Sequence, residues 1–149
     1  MVPCIEMTEN TYLVERRWNS HPCNVHYARM AVREVVSRFA GESMEMIELA
    51  IGEACANAVE HGSPCGSNSY FTVRCGVLHD RGEMVFEVED EGVAFGISRI
   101  AMLRPPDLVS EGGRGLYLIN EIMDDVAVLT SPRGLIVRMT KRIPRTSIS

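Results

Sequence analysis

Apolar residues recur at two different periods along this 149-residue chain, and each period predicts one kind of element. Spacing of three or four predicts helices, which we place at about 22–40, 44–61 and 115–123. Alternation of apolar and polar residues predicts strands, which we place at about 11–18, 70–78, 83–90, 126–130 and 135–140. Strands on both sides of the helices favour an α+β fold. We expect a two-layer α/β sandwich, with a mixed, mostly antiparallel sheet and helices on one face.

One long stretch, from Gly92 to Gly112, carries neither period and is broken by Pro105 and Pro106. It contains at most a short helical turn near 98–103. Irregular segments of this length are uncommon unless they serve a function such as closing over a ligand. A chain of 149 residues suits one domain, since single domains mostly have about 50–250 residues. We therefore interpret 1–149 as a single domain with its core at about 11–142.

The composition is that of a soluble globular protein, with 46% hydrophobic and 23% charged residues. A formal net charge of −5 argues against a broad basic face for nucleic acid. The sequence shows neither a signal-peptide pattern nor an apolar run of about 18 residues that would span a membrane. The basic residues near the C-terminus are interpreted as solubility charges at strand ends and in the tail: Arg138, Lys141, Arg142 and Arg145.

Five cysteines are present, an odd number without the C-x-x-C spacing of a metal site. This count favours reduced thiols in a cytoplasmic protein. Cys55 and Cys75 fall inside periodic segments, where cysteine behaves as a small apolar residue.

A first candidate for chemistry is the polar face of the second predicted helix. Glu53 and Asn57 are four residues apart, so their side chains lie side by side. Both offer the oxygen ligands that Mg²⁺ accepts, and the Glu53 carboxylate is also suited to accept a proton from an attacking hydroxyl. A solvated helix face is the alternative for this pair considered by itself.

A second candidate is the carboxylate of Asp90, which continues the apolar face of the strand that contains Phe86 and Val88. Burial of an unpaired charge is costly, so Asp90 requires a hydrogen-bonding partner. That partner is either the protein itself, at a simple strand-to-turn junction, or the amino group of a ligand such as adenine. Gly92 would then let the backbone pass close to the base.

A third candidate is the glycine-rich segment from Gly112 to Gly115, which leads directly into the third predicted helix. Backbone N–H groups at a helix N-terminus bind anions, and the helix dipole favours phosphate there. Arg114 would add a charged contact. A flexible hinge is the alternative, and the segment matches neither the P-loop nor the dinucleotide pattern.

The three segments together resemble the histidine-kinase-like ATPase superfamily, also called the GHKL or Bergerat fold. Residues 53–62 (EACANAVEHG) match its N box, residues 90–95 (DEGVAF) its first glycine box, and residues 111–119 (EGGRGLYLI) its second. Within the superfamily, the chain is most similar to the small anti-sigma-factor serine/threonine kinases of bacterial partner-switching systems. The resemblance extends from about Tyr12 to Arg142.

This resemblance implies residue roles and ligands. Asn57 would bind Mg²⁺ and Glu53 would be the general base. Asp90 would hold the amino group of adenine, and Gly92 and Ala94 would lie close to the base. The second glycine box would bind the phosphates of ATP through Gly112, Gly113, Arg114, Gly115 and Leu116.

The resemblance also implies partners. The kinase would phosphorylate a serine or threonine of a STAS-domain anti-anti-sigma protein, would alternatively sequester a sigma factor, and would act as a homodimer. The family commonly has glycine where this chain has Ala94, and the extra methyl group would affect nucleotide affinity. Two other functions stay open: an interaction module that transfers no phosphate, and the ATPase half of a sensor histidine kinase.

Overall fold

Five strands form one sheet in the computed structural model, which describes residues 10–92 and 114–145. The strands are β1 Asn10–Asn19, β2 Tyr70–Leu78, β3 Glu83–Glu89, β4 Asp125–Thr130 and β5 Leu135–Arg142. They are ordered β1-β2-β3-β5-β4, and every described neighbour pair is antiparallel. The α+β sandwich expected from the sequence is therefore confirmed.

Within the described residues, three α-helices accompany the sheet: α1 Cys23–Ala40, α2 Met44–His61 and α3 Arg114–Ile122. Their bounds agree with the apolar periodicity to within two residues. A short 3₁₀ turn, Gly41–Ser43, joins α1 to α2, and Gly41 has a φ of 55°, which glycine adopts without strain. α2 packs against α1, α3 and the sheet, so it is the central helix of its layer.

The hydrophobic core lies between the helices and one face of the sheet. In β3, Met84, Phe86 and Val88 point into it, as the alternation of the sequence predicts. From α1, buried residues four positions apart contribute one stripe: Ala28, Val32, Val36 and Ala40. Removal of these side chains from water is the main stabilising term of the fold.

The opposite face of the sheet carries a network of buried charges around Arg74. Its guanidinium donates to Glu87 at 3.0 Å, to Glu89 at 2.7 Å and to Glu15 at 3.1 Å. Arg138 also donates to Glu87, at 2.7 Å. The interpretation of Arg138 as a solubility charge was therefore wrong, because β5 lies beside β3 and brings this arginine to a buried carboxylate.

Burial by itself would lower the pKa of Arg74, but the hydrogen bonds to Glu89 and Glu87 outweigh it and raise this pKa above its ordinary value. Arg74 therefore stays charged and neutralises the carboxylates beside it. Successive residues of β2 and β3 thus alternate between the apolar core on one face of the sheet and the ionic network on the other.

The long irregular stretch predicted at 92–112, with its helical turn at 98–103, lies almost wholly outside the described residues. Among the residues that are described, no helix has the length and apolar character needed to cross a membrane.

Cysteine labelling tests the core. Burial raises the pKa of Cys55 to about 12, with the nearby charge of Arg29 acting against the rise, and burial raises the pKa of Cys75 to about 12. At pH 8 such a thiol is ionised in only about one molecule in 10,000. We expect iodoacetamide to modify the exposed Cys23 and Cys65 and to spare Cys55 and Cys75, as read by peptide mass spectrometry. Equal labelling of all four would contradict this packing.

Removal of one charge tests the ionic face. Arg74→Met would leave Glu87 and Glu89, whose side chains are only 5% and 11% exposed, without this counter-charge. Loss of one partner from a buried network costs about 3–5 kcal/mol of unfolding free energy. Arg33→Met is the matched control, because Arg33 is 51% exposed in its pair with Glu48 and such pairs contribute below about 1 kcal/mol. Urea denaturation measures both, and equal losses would argue against a buried network.

Candidate functional site

The polar face predicted on α2 is present and partly exposed. Glu53, Asn57 and His61 follow one another at one-turn spacing, and each is partly accessible. The buried residues Ala54 and Ala58 follow Glu53 and Asn57 directly, so the polar face borders the core. Both side chains are therefore partly accessible to a ligand.

The donors on this face fit a magnesium ion held jointly with a substrate. Glu53 and Asn57 supply oxygen atoms, the type of ligand that Mg²⁺ requires. Within residues 10–92 and 114–145, no group of three or more His, Cys, Asp or Glu side chains is placed to hold a metal ion by itself. Any magnesium at this face would complete its coordination with phosphate oxygens and water, as is usual for this ion.

Asp90 lies at the end of β3 and is buried, with 4% of its surface exposed. Its Oδ1 accepts hydrogen bonds from the backbone N–H of Gly92 at 2.9 Å and of Leu135 at 3.2 Å. The sequence predicted both the burial and the need for partners. These N–H groups stabilise the ionised carboxylate in a place where an unpaired charge would be costly.

Two glycines make room for this carboxylate. A Cβ at Gly62 would lie 2.2 Å from Oδ2 of Asp90, and a Cβ at Gly134 would lie 2.6 Å from Oδ1. Both distances are far below van der Waals contact. In the sequence, Gly62 simply follows the second predicted helix and Gly134 lies between the last two predicted strands, so neither was expected to lie beside Asp90. A glycine just after a helix and a glycine in a turn are too common to signal such a contact.

Backbone hydrogen bonds bring three segments to this point. The N–H of Asp90 donates to the carbonyl of Leu135 at 3.0 Å, which joins β3 to the start of β5. The N–H of Glu91 donates to the carbonyl of Gly62 at 3.1 Å, which joins β3 to the end of α2. The helix that carries Glu53 and Asn57 is therefore anchored at Asp90, and Asn57 lies about 8 Å before Gly62 along the helix axis.

The glycine-rich segment is described only in part. Arg114 opens α3, and Gly115 and Leu116 belong to its first turn, so the predicted helix start is confirmed. Gly92 is buried, and its N–H is used by Asp90. Ala94, Gly112 and Gly113 lie outside the described residues, and their proposed contacts stay predictions.

Comparison with known proteins shows that the chain is similar in sequence to one protein family and to several kinases. The family model for the histidine kinase-like ATPase domain matches residues 19–141. Serine-protein kinase RsbW of Bacillus subtilis (strain 168) is 34% identical over 144 residues, which cover 91% of this chain and 88% of that protein. The protein of the same name from Bacillus mycoides (strain KBAB4) is 35% identical over 129 residues, covering 80% and 78%. That of Bacillus pumilus (strain SAFR-032) is 32% identical over 153 aligned residues, covering 95% and 93%.

The chain belongs to the histidine kinase-like ATPase family, which confirms the resemblance inferred from the three sequence segments. The names of its relatives agree with the predicted class of enzyme, a serine/threonine-protein kinase.

Gly62→Ala tests the packing around Asp90. Gly62 has a φ of −111°, which alanine adopts freely, so the effect arises from the clash with the carboxylate. We expect the unfolding free energy to fall by about 1–3 kcal/mol, as in other overpacked sites. Gly52→Ala is the control within the same helix, because its Cβ would meet only the flexible side chain of Arg29, at 3.0 Å. Its stability should stay within about 1 kcal/mol of the wild type or rise. A Gly62→Ala protein as stable as the wild type would argue against this packing.

Proposed function

We propose that this chain is an ATP-dependent serine/threonine-protein kinase that also acts as an anti-sigma factor. The observation that carries the proposal is the buried carboxylate of Asp90, which lies between Gly62 and Gly134 at the end of the helix that bears Glu53 and Asn57. α2 thereby joins the two parts of the proposed site. Asp90 would recognise the base, and the polar face with Glu53 and Asn57 would bind the metal and the phosphates.

In the proposed site, the Asp90 carboxylate accepts a hydrogen bond from the amino group of adenine, and Gly92 lies close to the base. Oδ1 of Asp90 accepts hydrogen bonds from two backbone N–H groups, and carboxylate oxygens have lone pairs for further donors. In this proposal the phosphates are bound at the N-terminus of α3 by Gly112, Gly113, Arg114 and Gly115. Backbone N–H groups and the dipole at a helix N-terminus favour phosphate, and the start of α3 at Arg114 supports the proposal.

Transfer of the γ-phosphate takes place at the polar face of α2. Asn57 holds Mg²⁺, which neutralises charge on the phosphates. Glu53 accepts the proton of the attacking hydroxyl, the new bond forms between that oxygen and the γ-phosphorus, and ADP leaves with the bridging oxygen. Positioning and charge neutralisation account for most of the rate in such reactions.

The protein partners are inferred from the family resemblance. The phosphorylated protein is a STAS-domain anti-anti-sigma factor, and the alternative partner is a sigma factor. The kinase acts in the cytoplasm as a homodimer, and residues 1–149 form one ATPase domain. The match of the family model to 19–141 supports this single-domain arrangement.

The kinase assay compares two glutamates of α2. Glu53→Ala should abolish transfer of labelled phosphate from ATP to a purified STAS-domain partner, because the base is lost, and should leave ATP binding intact. Glu60→Ala, which alters an exposed glutamate two turns further along, should retain full activity. Asn57→Ala should weaken ATP binding with magnesium present and have little effect in EDTA. Calorimetry measures the binding.

The two alternative functions, an interaction module and a histidine kinase, predict different outcomes in this kinase assay. Normal transfer by Glu53→Ala would refute the role of Glu53 as the base. A stable complex with the partner and no labelled serine or threonine would favour the interaction module. Acid-labile phosphate on the chain itself would favour a histidine kinase.

A further inference from the structure

The ladder between β2 and β3 ends one step before Asp90. The two strands pair from Leu78 with Glu83 up to Thr72 with Glu89. Continued in the same register, the ladder would place Tyr70 opposite Glu91. The N–H of Glu91 instead donates to the carbonyl of Gly62 at 3.1 Å, so the chain turns away from β2 toward the end of α2.

The side chain of Glu91 takes the place of the missing backbone contact. One carboxylate oxygen accepts the N–H of Tyr70 at 3.0 Å, and the other lies 3.6 Å from the guanidinium of Arg17. That guanidinium in turn stacks on the ring of Tyr70, 3.9 Å from its centroid. Glu91 thus contacts the end of α2 through its backbone N–H, and it contacts the start of β2 and the end of β1 through its side chain.

The residues on either side of Glu91 are those that form the candidate base site. Asp90 precedes it and directs its carboxylate toward Gly62 and Gly134, whereas Gly92 follows it and donates to that carboxylate. Within the described residues, the carboxylate of Glu91 contacts Tyr70 of β2 and Arg17 of β1 instead. Any effect of Glu91 on a bound base therefore passes through the backbone that it holds.

We propose that Glu91 is a positioning residue for base recognition. By fixing the turn between β3 and Gly92, it holds Asp90 and Gly92 in the orientation that selects adenine, without contacting the nucleotide. This inference rests on the proposed function, in which Asp90 accepts the amino group of adenine.

The two contacts of the Glu91 carboxylate contribute unequally to the stability of the turn. Arg17 is 50% exposed and its closest approach is 3.6 Å, so its ion pair with Glu91 is worth little. The hydrogen bond from Tyr70 is short and satisfies a backbone donor that the sheet no longer pairs. Glu91→Gln keeps an acceptor for this N–H, whereas Glu91→Ala removes it. The two variants therefore separate the hydrogen bond from the charge.

The test compares the binding of ATP and ITP by calorimetry. ITP has a carbonyl where adenine has its amino group, so it cannot make the hydrogen bond from the amino group to Asp90. We expect Glu91→Ala to weaken ATP binding by about 3- to 10-fold, the equivalent of one hydrogen bond, and to reduce the ATP-to-ITP preference by a similar factor. Glu91→Gln should stay within about 2-fold of the wild type. Glu83→Ala, at the opposite end of β3, should match the wild type.

Amide exchange measured by NMR on the nucleotide-free protein gives a second readout. Glu91→Ala should accelerate exchange at Tyr70 and Gly92, and Glu83→Ala should not. An unchanged ATP-to-ITP preference in Glu91→Ala would overturn the positioning role, even with reduced thermal stability, and so would unchanged exchange at both amides. Failure of the wild type to bind ATP would refute the proposed function itself, a result distinct from a change in preference between variants.

Discussion

The arrangement of the candidate site depends on the carboxylate of Asp90, buried at the end of an apolar strand face. A charge in this position is tolerated only if hydrogen bonds replace the water it has lost. The N–H groups of Gly92 and Leu135 supply them, and they come from different parts of the chain. The need to satisfy one carboxylate therefore brings the end of β3 against the start of β5.

Steric constraints at the same carboxylate act on two further segments. Neither Gly62 nor Gly134 has room for a Cβ, so the end of α2 and the β4–β5 turn both approach Asp90 more closely than any other residue would allow. Because this contact fixes where α2 ends, it also constrains the position of the polar face on α2. A substitution that moves the carboxylate is thus expected to disturb the anchor of the helix as well as the base site.

Much of this arrangement was predictable from the sequence, because it follows from local patterns. Period and alternation placed every described α-helix and strand to within about two residues. The continuation of the apolar face through Val88 to Asp90 predicted a buried carboxylate. What escaped prediction depends on which strands are neighbours: Arg138 reaches Glu87 only because β5 lies beside β3, and the chain order does not reveal that pairing. The contacts of Gly62, Gly134 and Glu91 have the same origin, since each partner is distant in sequence.

The two halves of the proposed site are related by the geometry of α2. Glu53 precedes Gly62 by nine residues, or about 14 Å along a helix axis. That separation is comparable to the length of a nucleoside triphosphate, so a base held at Asp90 and a γ-phosphate near Glu53 would be compatible with a rigid helix between them. The helix is held at one end by Asp90 and Glu91 and along its length by α1, α3 and the sheet. Base recognition and phosphate transfer would then be linked mechanically, because whatever fixes the turn at Asp90 also sets the distance to Glu53, the proposed general base.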